Sequence, residues 1–236
     1  PMNPLPTPDS PDPTPDPVPC ELPQKLESDP ELFRRVNIRL ALGFYGFLLA
    51  GSILGGPWIG HGPLHWIPSG EGFGNTLPSS LFLGLAAGGL VVGLGHLLTP
   101  YITFLQQMKE GFDEPLLWVR TWKDIFILAV TSSVAEEALF RGCLQPAIGI
   151  GWTSLIFAIC HPPIQKKLIA WPLFAWLISY LLGNLYTYGG DALIAPILCH
   201  FTINFCNLGI LTARNRASFS AQGVAPKAKE PQDPSS

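Results

Sequence analysis

Along the middle of the chain, runs of apolar residues alternate with short polar segments. Leu40–Gly56 (LALGFYGFLLAGSILGG) and Leu81–Leu98 (LFLGLAAGGLVVGLGHLL) each approach the ~20 residues needed to cross ~30 Å of hydrocarbon. Ile125–Ile148 is a third run. Ile150–Cys160 follows and is short enough to suit a buried or re-entrant helix as well. Leu168–Tyr186 and Ala192–Leu211 complete a set of six. The pattern predicts an all-α protein, a polytopic membrane bundle of about six transmembrane helices. Between the second and third runs, Tyr101, Ile102, Phe104, Leu105 and Met108 recur at helical spacing before Lys109. That spacing predicts a helix lying at the membrane interface, with Trp118 and Trp122 in the aromatic belt beside it.

The two ends have a different composition. Residues 1–30 contain eleven prolines, mostly alternating with Asp, Ser and Thr. Such a segment cannot bury enough apolar surface to offset its ordering entropy, so a disordered tail is expected, with a Pro-rich ligand for a partner as the other reading. It is too acidic and Pro-rich for the n-region of a signal peptide. The expected organisation is a tail over 1–31, two transmembrane helices with the interfacial helix over 32–115, a membrane core over 116–212, and a second polar, disordered tail over 213–236.

Charge sharpens this picture. Only 13% of the 236 residues are Asp, Glu, Lys or Arg, about half the usual share, and 47% are hydrophobic. Too few charges remain to solvate the outside of a water-soluble domain. The net charge of −3 also argues against nucleic acid, whose binders present a basic face. With the N-terminus inside, six spans place 13 of the 14 Lys and Arg residues in cytoplasmic segments. This positive-inside pattern predicts a multi-pass protein with both termini in the cytoplasm. The exception is Arg141, within the third span. On the second span, Gly84/Gly88 and Gly89/Gly93 offer two GxxxG spacings for close helix contact.

A charged side chain at membrane depth costs ~2.5–3.5 kcal/mol on insertion scales, so it needs a partner or a function. Glu136, Glu137 and Arg141 lie on the third span, His161 at the inner end of the fourth, and His200 on the sixth. Glu137 and Arg141 are i,i+4 and can pair, with Ser133 and Gln145 extending their stripe. Glu136 points about 100° away, left without the arginine, and is the candidate general base. His200 and Asn204 form a second i,i+4 pair, presenting an imidazole and an amide suited to a developing oxyanion. Phe157 sits one turn before His161 and can wall a cavity beside it. The plainer alternative is a buried structural ion pair with a spare carboxylate.

The motifs are Glu136-Glu137-Ala138-Leu139-Phe140-Arg141 (EExxxR), Phe157 to His161 (FxxxH) and His200 to Asn204 (HxxxN). In that order, each on its own apolar run, they resemble the CPBP family. That family comprises the type II CAAX prenyl proteases and the bacteriocin-processing, Abi-like membrane proteases. The resemblance covers about residues 116–212. It implies an intramembrane endopeptidase of glutamate type acting on a membrane-anchored or lipidated protein or peptide, with the lipid bilayer as its setting. Glu136 with His161 would activate water, and His200 with Asn204 would stabilise the oxyanion. Glu137, Arg141 and Phe157 would support them. No cofactor is required on this reading. Zn²⁺ held by Glu136, His161 and His200 is the metalloprotease alternative, although HExxH is absent. The short build resembles bacterial members, pointing to the bacterial inner membrane.

Two further function classes stay open. A proton-coupled transporter could use the same buried Glu, His and Arg, though no internal repeat is apparent. A non-catalytic membrane scaffold or immunity protein could use them only to hold the bundle together. The depths also pose a problem. At ~1.5 Å per residue, Glu136 lies ~20 Å along its helix from Lys123, and Asn204 ~15 Å from Arg214, while His161 is only ~8 Å from Lys166. The groups meet only if the fourth segment is short or dips, with Pro162-Pro163 ending it below the surface. The five cysteines lack CxxC and imply no disulfide. Four of them, Cys143, Cys160, Cys199 and Cys206, are expected as small apolar packing residues.

Overall fold

Helix α1 (Pro30–Gly55) opens where a cap makes it possible. The Asp29 carboxylate accepts from the backbone N–H groups of Glu31 and Leu32, and Pro30 supplies a first-turn φ at no hydrogen-bond cost. Glu31 then pairs with Arg34 and Arg35 along the helix. The helix therefore starts well before its apolar run and just inside the boundary expected for the N-terminal tail. The computed structural model describes residues 29–56, 64–112 and 116–221. Most of the Pro-rich tail, including Cys20, and the end of the C-terminal segment lie outside them.

The remaining helices are α2 (Leu77–Leu98), α3 (Thr103–Gly111), α4 (Trp122–Leu139), α5 (Gln145–Ile159), α6 (Trp171–Tyr188) and α7 (Ile194–Ala221), with no strand among the described residues. A π-helical turn, Phe140–Leu144, joins α4 to α5. Among the described residues, five helical stretches are long and apolar enough to cross a membrane. Large apolar side chains cover the outside, such as Phe47 at 74% exposure and Leu90 at 62%, while Ser132, Ser133, Glu137 and Arg141 are buried. Polar groups inside and hydrocarbon outside is the arrangement a bilayer requires, and the protein is an integral membrane helix bundle.

Five stretches arise where six were expected because α4, the π-helical turn and α5 form one continuous 38-residue stretch, Trp122–Ile159. It is not straight. Gly149 breaks the winding at φ 78°, ψ 164°, a conformation that only glycine adopts readily. A straight helix would hold residues 140 and 157 about 25 Å apart, yet the rings of Phe140 and Phe157 meet edge to face at 4.8 Å. The chain turns back on itself at Gly149, between the predicted third and fourth runs. The returning arm is about 15 Å long, half the hydrocarbon thickness. Glu136 and His161 lie 13 and 12 residues either side of Gly149, and these near-equal arms bring them level. The mismatch of depths is resolved by a short arm ending at Pro162-Pro163.

Helix α1 runs parallel to α4, tied at one end by Arg34 to Asp124 at 2.6 Å and higher up by the Cys143 thiol to the Ser52 carbonyl at 3.2 Å. Asp124 also closes a capping box with Thr121 that starts α4. Helix α2 lies along α7, where Gly84 and Gly88 leave no room for a Cβ against Ala195, Cys199 and Thr202. Gly89 and Gly93, by contrast, face open space, so only the first GxxxG pair is an interface. Helix α7 continues past residue 212 to Ala221, further than the tail boundary expected from polarity. Thr212 bonds the Val119 carbonyl at 3.3 Å, and Arg216 bonds that of Arg120. The start of α1, the start of α4 and the end of α7 thus share one end of the bundle. The helix expected between the second and third runs is present as α3, with Met108 buried and Tyr101 exposed just ahead of it.

Candidate active site

Helix α4 carries the acidic pair near its end, where Glu136 is 8% exposed and Glu137 fully buried. Glu137 is shared between two partners. Its Oε1 lies 2.8 Å from Nδ1 of His200 and its Oε2 lies 3.1 Å from Nε of Arg141. The arginine contact is ionic, with angles short of a hydrogen bond. Arg141 also donates through Nη2 to the Ser179 carbonyl at 3.1 Å, and its guanidinium lies 5.3 Å from the Phe157 ring centroid. The expected Glu137–Arg141 pair is therefore present and completely desolvated, a state that requires close pairing on both sides.

Each histidine is anchored through Nδ1. Since a carbonyl can only accept, the 2.7 Å contact to the Phe157 carbonyl makes Nδ1 of His161 the protonated nitrogen. The ring stacks on Phe157 at 4.2 Å, so Phe157 walls the site as expected. His200 is held in the same way by the Glu137 carboxylate. Both Nε2 atoms are left facing Oε2 of Glu136, at 3.8 Å from His161 and 4.0 Å from His200. That oxygen has no hydrogen-bond partner. Asn204, one turn on from His200, donates its amide to the Ser132 hydroxyl at 3.0 Å. Glu136, His161, His200 and Asn204 all line one cavity of about 460 Å³, and Lys109 and Arg214 line it too.

Some expectations are corrected. Ser133 and Gln145 do not serve the ion pair. The Ser133 hydroxyl bonds the Ala129 carbonyl at 2.7 Å. The π-helical turn widens the winding after Leu139 and swings Gln145 towards α6, where its amide bonds the Gly183 carbonyl at 3.0 Å. Cys143 and Cys199 are buried packing residues and Cys206 is intermediate, but Cys160 is exposed; all four are free thiols. Ser132 and Ser179 are the polar partners that sequence reading missed. Ser132 could have been found as the residue one turn before Glu136; Ser179, on α6, has no such signal.

The resemblance read from the three motifs holds in direct comparison. Residues 118–206 match the family described as type II CAAX prenyl endopeptidase, Rce1-like. A Bacillus subtilis (strain 168) protein, described as uncharacterized protein YpbD, is 38% identical over 96 residues, covering 40% of this chain and 49% of that protein. The chain thus spans about half the length of this curated relative. No solved structure matches. All five cavity-lining motif residues, Phe157 included, fall inside the matched segment, whereas α1, α2 and α3 lie outside it.

Proposed function

We propose that the protein is an intramembrane endopeptidase that hydrolyses a peptide bond in a membrane-associated or lipid-anchored protein or peptide. The observation that carries this reading is the convergence of two anchored imidazoles on the unpartnered Oε2 of Glu136, in a cavity that Asn204 also lines. Water bound between Glu136 and His161 gives up a proton to the carboxylate as it attacks the substrate carbonyl. His200, protonated on both nitrogens, keeps Nδ1–H on Glu137 and offers Nε2–H to the oxyanion. The Asn204 amide turns from Ser132 to share that charge. Glu137 and Arg141 hold His200 in orientation. The proton on Glu136 then passes to the leaving amine.

Several features support the setting. The basic residues gather at the end of the bundle where α1 begins and α7 ends, consistent with cytoplasmic termini in a bacterial inner membrane. Lys109 and Arg214 line the cavity, consistent with an opening on that side. The testing variant is Glu136→Gln, which keeps the side-chain volume and removes the base. Purified in detergent and given a membrane-anchored substrate, it should lose cleavage by about 10²–10⁴-fold while unfolding at an unchanged temperature. Cleavage at the parental rate would refute the mechanism. Comparing new termini in membranes with and without active Glu136 identifies the substrate. Loss of cleavage under chelation, restored by Zn²⁺, would replace the glutamate mechanism with the zinc reading through Glu136, His161 and His200.

A further inference from the structure

Helix α1 lies outside the matched family segment, yet one of its side chains lines the same cavity as the site residues. Between Leu40 and Gly51, Tyr45 is the one residue whose side chain can form a hydrogen bond. Its neighbour Phe44 is exposed on the outer surface, whereas Tyr45 is half-buried and lines the cavity with Glu136, His161, His200 and Asn204. Arg34, Ala41, Tyr45 and Ser52 recur on one face of α1. Arg34 fixes the register against Asp124 at 2.6 Å, and Ser52 fixes it again against Cys143 at 3.2 Å. Between those two ties, Tyr45 faces the cavity that Glu136, Ser132 and Asn204 also line. Ser132 in turn accepts from Asn204.

We propose that Tyr45 is a positioning residue of the catalytic centre, its hydroxyl orienting the Glu136 carboxylate and linking it through Ser132 to Asn204. A phenol placed within a bilayer needs a polar partner, since an unpaired hydroxyl away from water is costly. Glu136 needs the complementary group. Its Oε2 faces the two Nε2 atoms without a hydrogen bond, so nothing on the core side fixes the carboxylate plane. Tyr45 supplies that constraint from outside the core. The role rests on the hydrolytic reading of Glu136, whereas the contact does not.

The test uses the full chain in detergent, with Tyr45→Phe, Glu136→Gln and their combination. Tyr45→Phe keeps the ring and its packing, so the parental fold is expected. If the hydroxyl engages Glu136, the two changes in unfolding temperature are non-additive. Shifts that sum to within about 1 °C would overturn the contact. With a quenched, farnesylated CAAX peptide as the probe, kcat is expected to fall about ten- to a hundredfold at unchanged KM, the loss that follows from removing one hydrogen bond to a charged group. A kcat within twofold of the parent, while Glu136→Gln is inactive, would overturn the positioning role and leave the protease reading intact. Normal cleavage by Glu136→Gln would instead overturn the Glu136 mechanism, and with it the positioning role. Where the probe is not cleaved by the parent, the thermal cycle alone decides the contact, and additivity there overturns the proposal.

Discussion

Replacing Gly149 by alanine tests the reversal that sets the depth of the site. Nothing lies within 4 Å of where its Cβ would be, so the substitution meets no neighbour and acts through backbone strain alone. At φ 78° and ψ 164° an L-residue is held in a region essentially reserved for glycine, at a cost of about 1–3 kcal/mol. Gly151, two residues on, also has open space around its Cβ position but lies in ordinary helical backbone. Gly151→Ala is therefore the matched control and should be neutral or stabilising by up to about 1 kcal/mol. For a chain of this size, each 1 kcal/mol moves the unfolding temperature by roughly 2–4 °C. Thermal unfolding of both variants in the same detergent should thus separate them by several degrees, with Gly149→Ala the lower. Cleavage should fall in the same variant, because relaxing the turn displaces His161 from Glu136. Equal unfolding temperatures for the two variants would refute the argument that Gly149 is required by its torsion angles.

Three further outcomes follow from the packing. Arg141→Leu leaves Glu137 buried without its cation and should destabilise the fold by about 3–5 kcal/mol, read by thermal unfolding. A loss below 1 kcal/mol would mean that His200 alone satisfies Glu137. Gly88→Ala places a methyl 2.7 Å from Cβ of Thr202 and 2.8 Å from the Cys199 carbonyl, so α2 must shift from α7 and stability should drop by about 1–3 kcal/mol. Gly89→Ala faces open space and should leave the unfolding temperature unchanged or slightly raised.

What could be read from the chain, and what could not, divides along a physical line. Membrane depth makes ionisable residues costly, so Glu136, Glu137, Arg141, His161 and His200 stand out against an apolar background without any structure. The i,i+4 rule then pairs Glu137 with Arg141, which is only the second residue of the π-helical turn and still meets the carboxylate. Beyond Leu139 the π-helical turn alters the angle per residue, and the same rule misplaces Gln145. Hydropathy finds where lipid-facing residues begin, but the start of α1 is set by the cap at Asp29 and the Glu31 ion pairs. Its window therefore opens late. Ser179 and Tyr45 reach the site from helices distant in sequence, and only their packing reveals them. The two glycine pairs on α2 are alike as spacings, and which one is an interface depends on the face that α7 covers.

The reversal at Gly149 has a consequence for how this chain can change. Glu136 and His161 are held level by arms of 13 and 12 residues. One residue added to either arm alone would carry its end ~1.5 Å along the axis and ~100° around it, taking the imidazole off the carboxylate. Lengthening is tolerated only as a matched change on both sides of the turn. The hairpin works as a gauge whose two legs are read against each other, and drift in one leg has to be answered in the other.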